Sequence, residues 1–350
     1  MPERKELPAE ETVALYKKAA DIANRALKHV LEQVKVGVKV SELCKAGNDF
    51  IIQACQEVDP ENTMETKGIA FPTCVSVNNI VGMNAPLPGD DGDVAIQLRD
   101  VVKVDLGVEL EGLPVCVAHT IVVGNLKNKA ADPILAAYNA AQVAARLLKP
   151  GNTNSQITNA IAAICNDFGV KPVQGVLSHN VEQYSIDGPQ IIANYHDPTH
   201  PAPKLAFEAN QAYHIDIVVS SGEGKSRVSD NRANVYKRDP TNDTPVRVQS
   251  ARDVINEVDA HCPVFPFSVA QLKNPNARFG LAGCVRSNHI QQYPVMCERS
   301  GEIVAQFKFT ALILPTGTEI ISGLLPLEEK ITSEKAVSSE EYKALLAQSL

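Results

Sequence analysis

The chain predicts an α+β fold in which one helix-helix-sheet unit is used twice, as a pseudo-twofold repeat with a helical insertion. Three observations carry this. Two pairs of amphipathic helices are each joined across the same Gly-x-x-x-Ser spacing, Gly37 to Ser41 and Gly151 to Ser155. Each pair leads to a strand with an inward acid, VVKVDLGVEL with Asp105 and YHIDIVVS with Asp216. Residues 224–300 match neither unit, and strand periodicity returns only at EIVAQFKFTALILP. The expectation is a single domain over residues 10–350, with 224–300 as a small helical subdomain on the main sheet.

Residues 11–35 place Val13, Tyr16, Ala20, Ala23, Leu27, Val30, Leu31 and Val34 at helical intervals, and Gly37 ends that helix. Ser41 reads as the N-cap of a second helix through Glu57, with Leu43, Ala46, Phe50, Ile51 and Ala54 inward. VVKVDLGVEL and LPVCVAHTIVVG alternate on either side of Glu111-Gly112, the signature of an antiparallel hairpin. With those two residues as the loop, Leu110 faces Leu113 and Asp105 faces Ala118. Cys116 is then a diagonal neighbour of Asp105 on the same face. Asp132-Pro133 opens a third helix through Leu148, Gly151 closes it, and Ser155 reads as the cap of a fourth carrying Ile157, Ile161 and Ile164. The tail SSEEYKALLAQSL ends in a short helix.

With 44% hydrophobic and 21% charged residues, disorder is excluded for most of the 350 residues. No apolar run approaches the roughly 18 residues of a membrane helix, and MPERKELPAEE lacks a signal peptide's apolar core, so a soluble, unsecreted protein without membrane partners is expected. Eight cysteines without a CxxC pair read as reduced core thiols of a cytosolic or nuclear protein. The net charge of −8 argues against a positive coat for indiscriminate nucleic-acid binding. Charge is unevenly distributed, however: residues 224–300 hold eleven basic and seven acidic residues, +4, which leaves −12 on the remainder. Lys225, Arg227, Arg232, Lys237, Arg238, Arg247 and Arg252, with Tyr236 among them, form its densest part. Such a run is either a solvated loop or a basic surface suited to phosphate backbones. Zinc-finger spacing and an RNP-type aromatic signature are both missing, so recognition there would be of shape and charge.

At KGIAFPTCVSVNNIVGMNAP, KVDLG, VAHT, GVLSHNVEQYSIDG, DIVVSSGEGK, VYKRDP and VAQFKFTALILP the sequence resembles the methionine aminopeptidase and creatinase superfamily, the pita-bread fold. More narrowly it is similar to the proliferation-associated branch of non-peptidase homologues, which includes ErbB-receptor-binding and curved-DNA-binding proteins. The resemblance covers about residues 10–348, and the insertion resembles that of the type 2 aminopeptidases. It implies a pocket in which active peptidases hold two divalent metals on two hairpin acids, a histidine and two later glutamates.

Residue by residue, the first hairpin acid matches Asp105 and the second falls at Cys116. The metal-binding histidine matches His179, the next glutamate position holds Asp216, and the last is Lys308. The substrate-side histidine position is Met83, and a second catalytic histidine falls at Asp187. Two adjacent divalent cations need bridging carboxylates to offset their repulsion, and this set exchanges two anions for a thiol and an ammonium. No metal or other cofactor and no catalytic residue is therefore expected. A mononuclear site on Cys116, His179 and Asp216 is the weaker alternative. Read without the resemblance, His179 is a core histidine, Asp105 and Lys308 fit solvent-facing strand positions by alternation, and His119 is structural. The resemblance further implies partners among curved DNA, structured RNA, rRNA or the ribosome, protein partners in growth signalling, and a place in the nucleus, nucleolus and cytoplasm. It also implies that relatives continue past ALLAQSL into a Lys-rich tail. An active metalloaminopeptidase or a metal-free creatinase-type hydrolase using His179 is the competing reading.

Overall fold

A computed structural model describes residues 5–125 and 130–350. Two helices, α1 (Glu10–Gln33) and α2 (Val40–Val58), lead to β1 (Lys67–Val77), the short β2 (Ile80–Gly82) and the hairpin β3 (Val101–Leu110) and β4 (Leu113–Val122). The second unit has α3 (Ala131–Leu147), α4 (Asn154–Asp167), β5 (Lys171–Pro172), β6 (Leu177–Val181), β7 (Ile191–Ala193) and β8 (Gln211–Ser220). Then come β9 (Arg227–Val228), β10 (Val235–Arg238), α5 (Gln249–His261), β11 (Phe267–Ser268), α6 (Ala277–Arg286), β12 (Ile290–Tyr293) and β13 (Met296–Cys297). The main sheet resumes with β14 (Val304–Leu314) and β15 (Gly317–Ser322), and α7 (Glu340–Leu346) follows.

Among the described residues nine strands form the main sheet along the path β1-β3-β4-β14-β8-β6-β7, with β15 beside β14 and β5 beside β8. Strand alternation decides what each face carries. Val104, Leu106 and Val108 of β3 pack under α1 and α2 with Leu27, Val30 and Ile51. Ile215 and Ile217 of β8 and Phe307 and Phe309 of β14 pack with Ile134 and Ala137 of α3 and Ile161 of α4. The alternate residues of the same strands, among them Lys103, Asp105, Asp216, Gln306 and Lys308, therefore share the other face. No helix among the described residues is long and apolar enough to cross a membrane.

The hairpin register is the one the sequence dictates, Leu110 opposite Leu113 and Asp105 opposite Ala118. The repeat extends to single hydrogen bonds. Gly37 N–H donates to Ile96 O and Gly151 N–H to Phe207 O, while Lys39 bridges Ala95 as Thr153 bridges Ala206. Neither serine caps its helix. Because the bridging residues set the helix entry, Ser41 and Ser155 fall inside the first turn of α2 and α4. Asp93 Oδ1 accepts from Ser41 N–H at 2.9 Å, and Gln156 Oε1 accepts from Thr153 N–H at 2.6 Å.

The two halves of the sheet meet where β4 lies beside β14, with Ala118 opposite Lys308. On either side of that pair a threonine hydroxyl stands between the strands. Thr120 Oγ1 accepts from Gln306 N–H (2.8 Å) and donates to Gln306 O (2.6 Å). Thr310 Oγ1 accepts from Cys116 N–H (3.0 Å) and donates to Cys116 O (2.9 Å).

The insertion contains the expected helices, α5 and α6, but also a three-stranded sheet in the order β11-β10-β12. A second small sheet, β2-β13-β9, ties both ends of the insertion to the first half. Strands of two to four residues are too short for a two-residue period to repeat, so the sequence does not announce them.

Candidate functional site

Adjacent strands line up the site in one row across the sheet: Cys74 of β1, Asp105 of β3, Ala118 of β4, Lys308 of β14 and Asp216 of β8. Lys308 Nζ lies 2.6 Å from Asp105 Oδ2 and 3.1 Å from Asp216 Oδ2. It is buried and also sits 5.2 Å from the centre of the Phe71 ring. Burial alone would push this amine down, but Asp105 and Asp216 outweigh that and hold it charged, above its ordinary value. Burial raises the Asp105 carboxyl to about 6, with Asp216 adding to the rise and Lys308 opposing it. At neutral pH the centre is an ammonium clamped by two carboxylates.

Gln306, two residues before Lys308 and so on the same face, completes the clamp. Its Nε2 donates to Asp105 Oδ2 at 3.1 Å and to Asp216 Oδ1 at 2.9 Å. Sequence reasoning passed over it, although the period of two in AQFKFT pointed to it. The next row carries Cys116, Thr310, His214 and His179. His214 was also missed, though it stands two residues before Asp216. It donates through Nε2 to Pro114 O at 3.1 Å, and burial lowers it to about 3, so it is neutral. His179 Nδ1 bonds Gly188 O at 2.9 Å; a carbonyl only accepts, so that nitrogen carries the proton. Burial pushes the Cys116 thiol up, so in the metal-free site it is a protonated thiol rather than an anion.

The remaining positions lie elsewhere. Asp187 does not turn toward the row: its carboxylate is exposed and pairs with Lys237 of the insertion at 2.5 Å. Met83, half-buried, packs against the hydrophobic cluster that runs from under α1 and α2 to Phe71, Cys74 and Cys116, as do Ile186 and Tyr293. His119 packs edge-on against Phe307 on the helix side, as a structural residue.

Of the seven basic residues assigned to a nucleic-acid surface, Lys225, Arg227, Arg232, Arg247 and Arg252 are exposed. Two are not free. Lys237 is spent on Asp187, and Arg238 is buried with its guanidinium on Asp259 and the carbonyls of Asp239 and His289. Both belong to β10, from whose opposite faces Lys237 reaches Asp187 outside the insertion and Arg238 reaches Asp259 and His289 within it.

The residues present do not fit a pair of divalent metals. Among the described residues no three of His, Cys, Asp and Glu gather closely enough to hold a metal ion. Asp105 Oδ1 is a buried oxygen without a hydrogen-bond partner, yet its carboxylate already faces the ammonium. A divalent cation about 4 Å from Lys308 Nζ would be repelled by about 8 kcal/mol at an effective dielectric of 20.

Comparison with known proteins agrees with this architecture. A model of metallopeptidase family M24 matches residues 14–232. The chain is 37% identical over 345 residues to ErbB-3 binding protein 1 of Arabidopsis thaliana, covering 97% of this chain and 87% of that one. It is 36% identical over 344 residues to the curved DNA-binding protein of Schizosaccharomyces pombe, covering 96% and 90%. The solved structure of a thermophilic Arx1 matches with a TM-score of 0.88 at 24% identity, over 97% of this chain and 98% of that one, a likeness of fold. With its family model spanning well over half of the sequence and relatives aligned along nearly all of it, the chain belongs to metallopeptidase family M24 and has its pita-bread fold.

Proposed function

We propose that this chain is a binding protein that keeps the M24 fold without peptidase chemistry and engages nucleic acid or ribonucleoprotein. The observation that carries the first half of this reading is Lys308, whose ammonium lies between Asp105 and Asp216 where a metal pair would need anions. Asp187, bound to Lys237, is not available as an acid-base partner for His179, which weighs against a creatinase-type hydrolase as well.

The second half rests on charge and on relatives. Lys225, Arg227, Arg232, Arg247 and Arg252 are exposed on the +4 insertion of an otherwise acidic chain. A relative of similar length is named for binding curved DNA, and another for binding ErbB-3. Curved DNA, structured RNA, rRNA or the ribosome is the proposed partner, with growth-signalling proteins as further partners and roles in ribosome biogenesis or translation. Nucleus, nucleolus and cytoplasm are the proposed locations.

The test is elemental analysis with a peptidase assay. The dialysed protein should hold no stoichiometric metal and leave Met-initiated peptides uncleaved. About one equivalent of Co, Mn, Fe or Zn, or cleavage abolished by His179→Ala, would overturn the reading.

A further inference from the structure

The repeat supplies an internal control, because the same turn is built twice. In the first half Arg99 N–H donates to Val123 O at 2.7 Å, and in the second Asn210 N–H donates to Ile313 O at 2.6 Å. The side chain of Asp100 accepts from Gln97 N–H as that of Gln211 accepts from Glu208 N–H. Both central residues have left-handed backbone, φ 73° at Arg99 and 69° at Asn210. The fold therefore asks the same of both turns, and the second answers with Glu208-Ala209-Asn210, an exposed polar tip with the residue type that tolerates this conformation. The first instead carries Gln97-Leu98-Arg99. Leu98 is 60% exposed, and Arg99 occupies a conformation that side chains of its kind rarely adopt.

The facing segment differs in the same sense. Hydrogen bonds of Gly37, Val38 and Val40 with Ile96 and Val94 hold residues 36–40 antiparallel to 94–98, which brings Val36 and Leu98 to one open end. Val36 is 56% exposed and Val94 46%, whereas the second half has Pro150 and a half-buried Leu205 at these places. Lys35 and Arg99 are exposed and make no ion pair among the described residues, and Lys39 is half-exposed 3.5 Å from Asp93. The acids inside the turn, Asp93 and Asp100, spend oxygens on the amides of Ser41, Gly89 and Gln97. Glu32 and Asp91 are the exposed acids in the flanking sequence.

We infer that Lys35, Val36, Val94, Leu98 and Arg99 form a docking surface for an acidic protein segment that presents one apolar side chain. Exposed aliphatic groups flanked by unpaired cations complement such a segment in both charge and polarity. A nucleic acid is the poorer occupant, because the patch has no aromatic side chain on which a base would stack. The surface lies outside the basic insertion, and its partner is a protein segment rather than the nucleic acid proposed for that insertion.

Selection of 12-residue peptides from a display library on the full chain tests this. Enriched peptides should carry Asp or Glu around one Leu, Ile or Phe, and should bind more weakly as salt rises. Leu98→Ser or Arg99→Glu should each weaken that binding at least tenfold, and Ala209→Ser, in the equivalent turn, should leave it unchanged. Enrichment without acidic residues, or binding insensitive to Leu98→Ser, would overturn the inference. So would preferential binding of a 20-nucleotide single-stranded RNA or of phosphatidylserine vesicles through the same residues. Arg99→Asn installs the residue used by the second half and should raise the Tm while weakening peptide binding. A fall in Tm would assign Arg99 to the fold and refute the proposal.

Discussion

Lys308 gives a cage that would otherwise need cations an internal cation of its own, and its removal should show that. Lys308→Ala strands Asp105 and Asp216 against each other and should lose about 3–5 kcal/mol in guanidinium unfolding. Lys308→Glu should lose more. Lys308→Met combined with Asp105→Asn and Asp216→Asn should recover most of the loss, because a neutral set needs no ion pair. One row away, Lys103 is the opposite case: fully buried, its Nζ donates to Asn78 O at 3.0 Å and burial lowers it to about 7. Its folded value lies below the unfolded 10.5, so the amine opposes folding wherever the unfolded chain is charged. Stability should rise as pH goes from about 7 to 10. Lys103→Met should add on the order of 1–3 kcal/mol at pH 7 and flatten that slope, measured by unfolding at pH 7, 8.5 and 10. The position of Asp105 opposite Ala118 was legible because a two-residue loop fixes the register of a hairpin, whereas alternation alone suited a solvent-facing Lys308 and only the resemblance placed it in the pocket. Lys103 was not legible, because nothing in VVKVDLG says that the site face is buried as well.

The insertion shows where reading by element fails. Charge density along residues 225–252 was visible in the sequence, but a density does not say which cations reach water. β10 was unannounced, and its two faces are what commit Lys237 to Asp187 and Arg238 to Asp259. The salt dependence of nucleic-acid binding should therefore divide along that line. Neutralising Lys225, Arg227 and Arg232 should lower the slope of log K against log salt by about 0.7–0.9 per lost phosphate contact. Lys237→Ala, which frees Asp187 instead, should leave the slope unchanged in titrations from 50 to 200 mM salt. An equal effect of both would place the interface across the mouth of the old pocket.

For the whole molecule, four buried groups oppose one another in acid. Burial lowers His119 to about 4 and His214 to about 3. Unfolded histidines take up protons below about 6.5 while these do not, so both reduce stability as pH falls from 6.5 toward 4. Asp105 is raised to about 6 and Glu109 to about 7, in each case by burial first. Both bind protons in the folded chain before the unfolded one, which adds stability as pH falls from about 7 toward 4.5. Among these four groups the opposing contributions nearly cancel between pH 6 and 4.5. Glu109→Gln removes one compensating group, and stability should then fall by about 1.4 kcal/mol per pH unit across that window in urea unfolding series.

The pairs Thr120–Gln306 and Thr310–Cys116 give the sheet a joint made largely of side chains. A hydroxyl that accepts from one amide and donates to the carbonyl of the same residue does the work of two ladder bonds while holding the strands apart. Lys308, at the midpoint of that joint, fastens to Asp105 in one half and Asp216 in the other. Within the sheet, load passing between the halves runs through the single main-chain pairing of Ala118 with Lys308, two hydroxyls, the Gln306 amide and one ammonium, so the line between β4 and β14 is where a pulled molecule would part and Lys308 is its rivet.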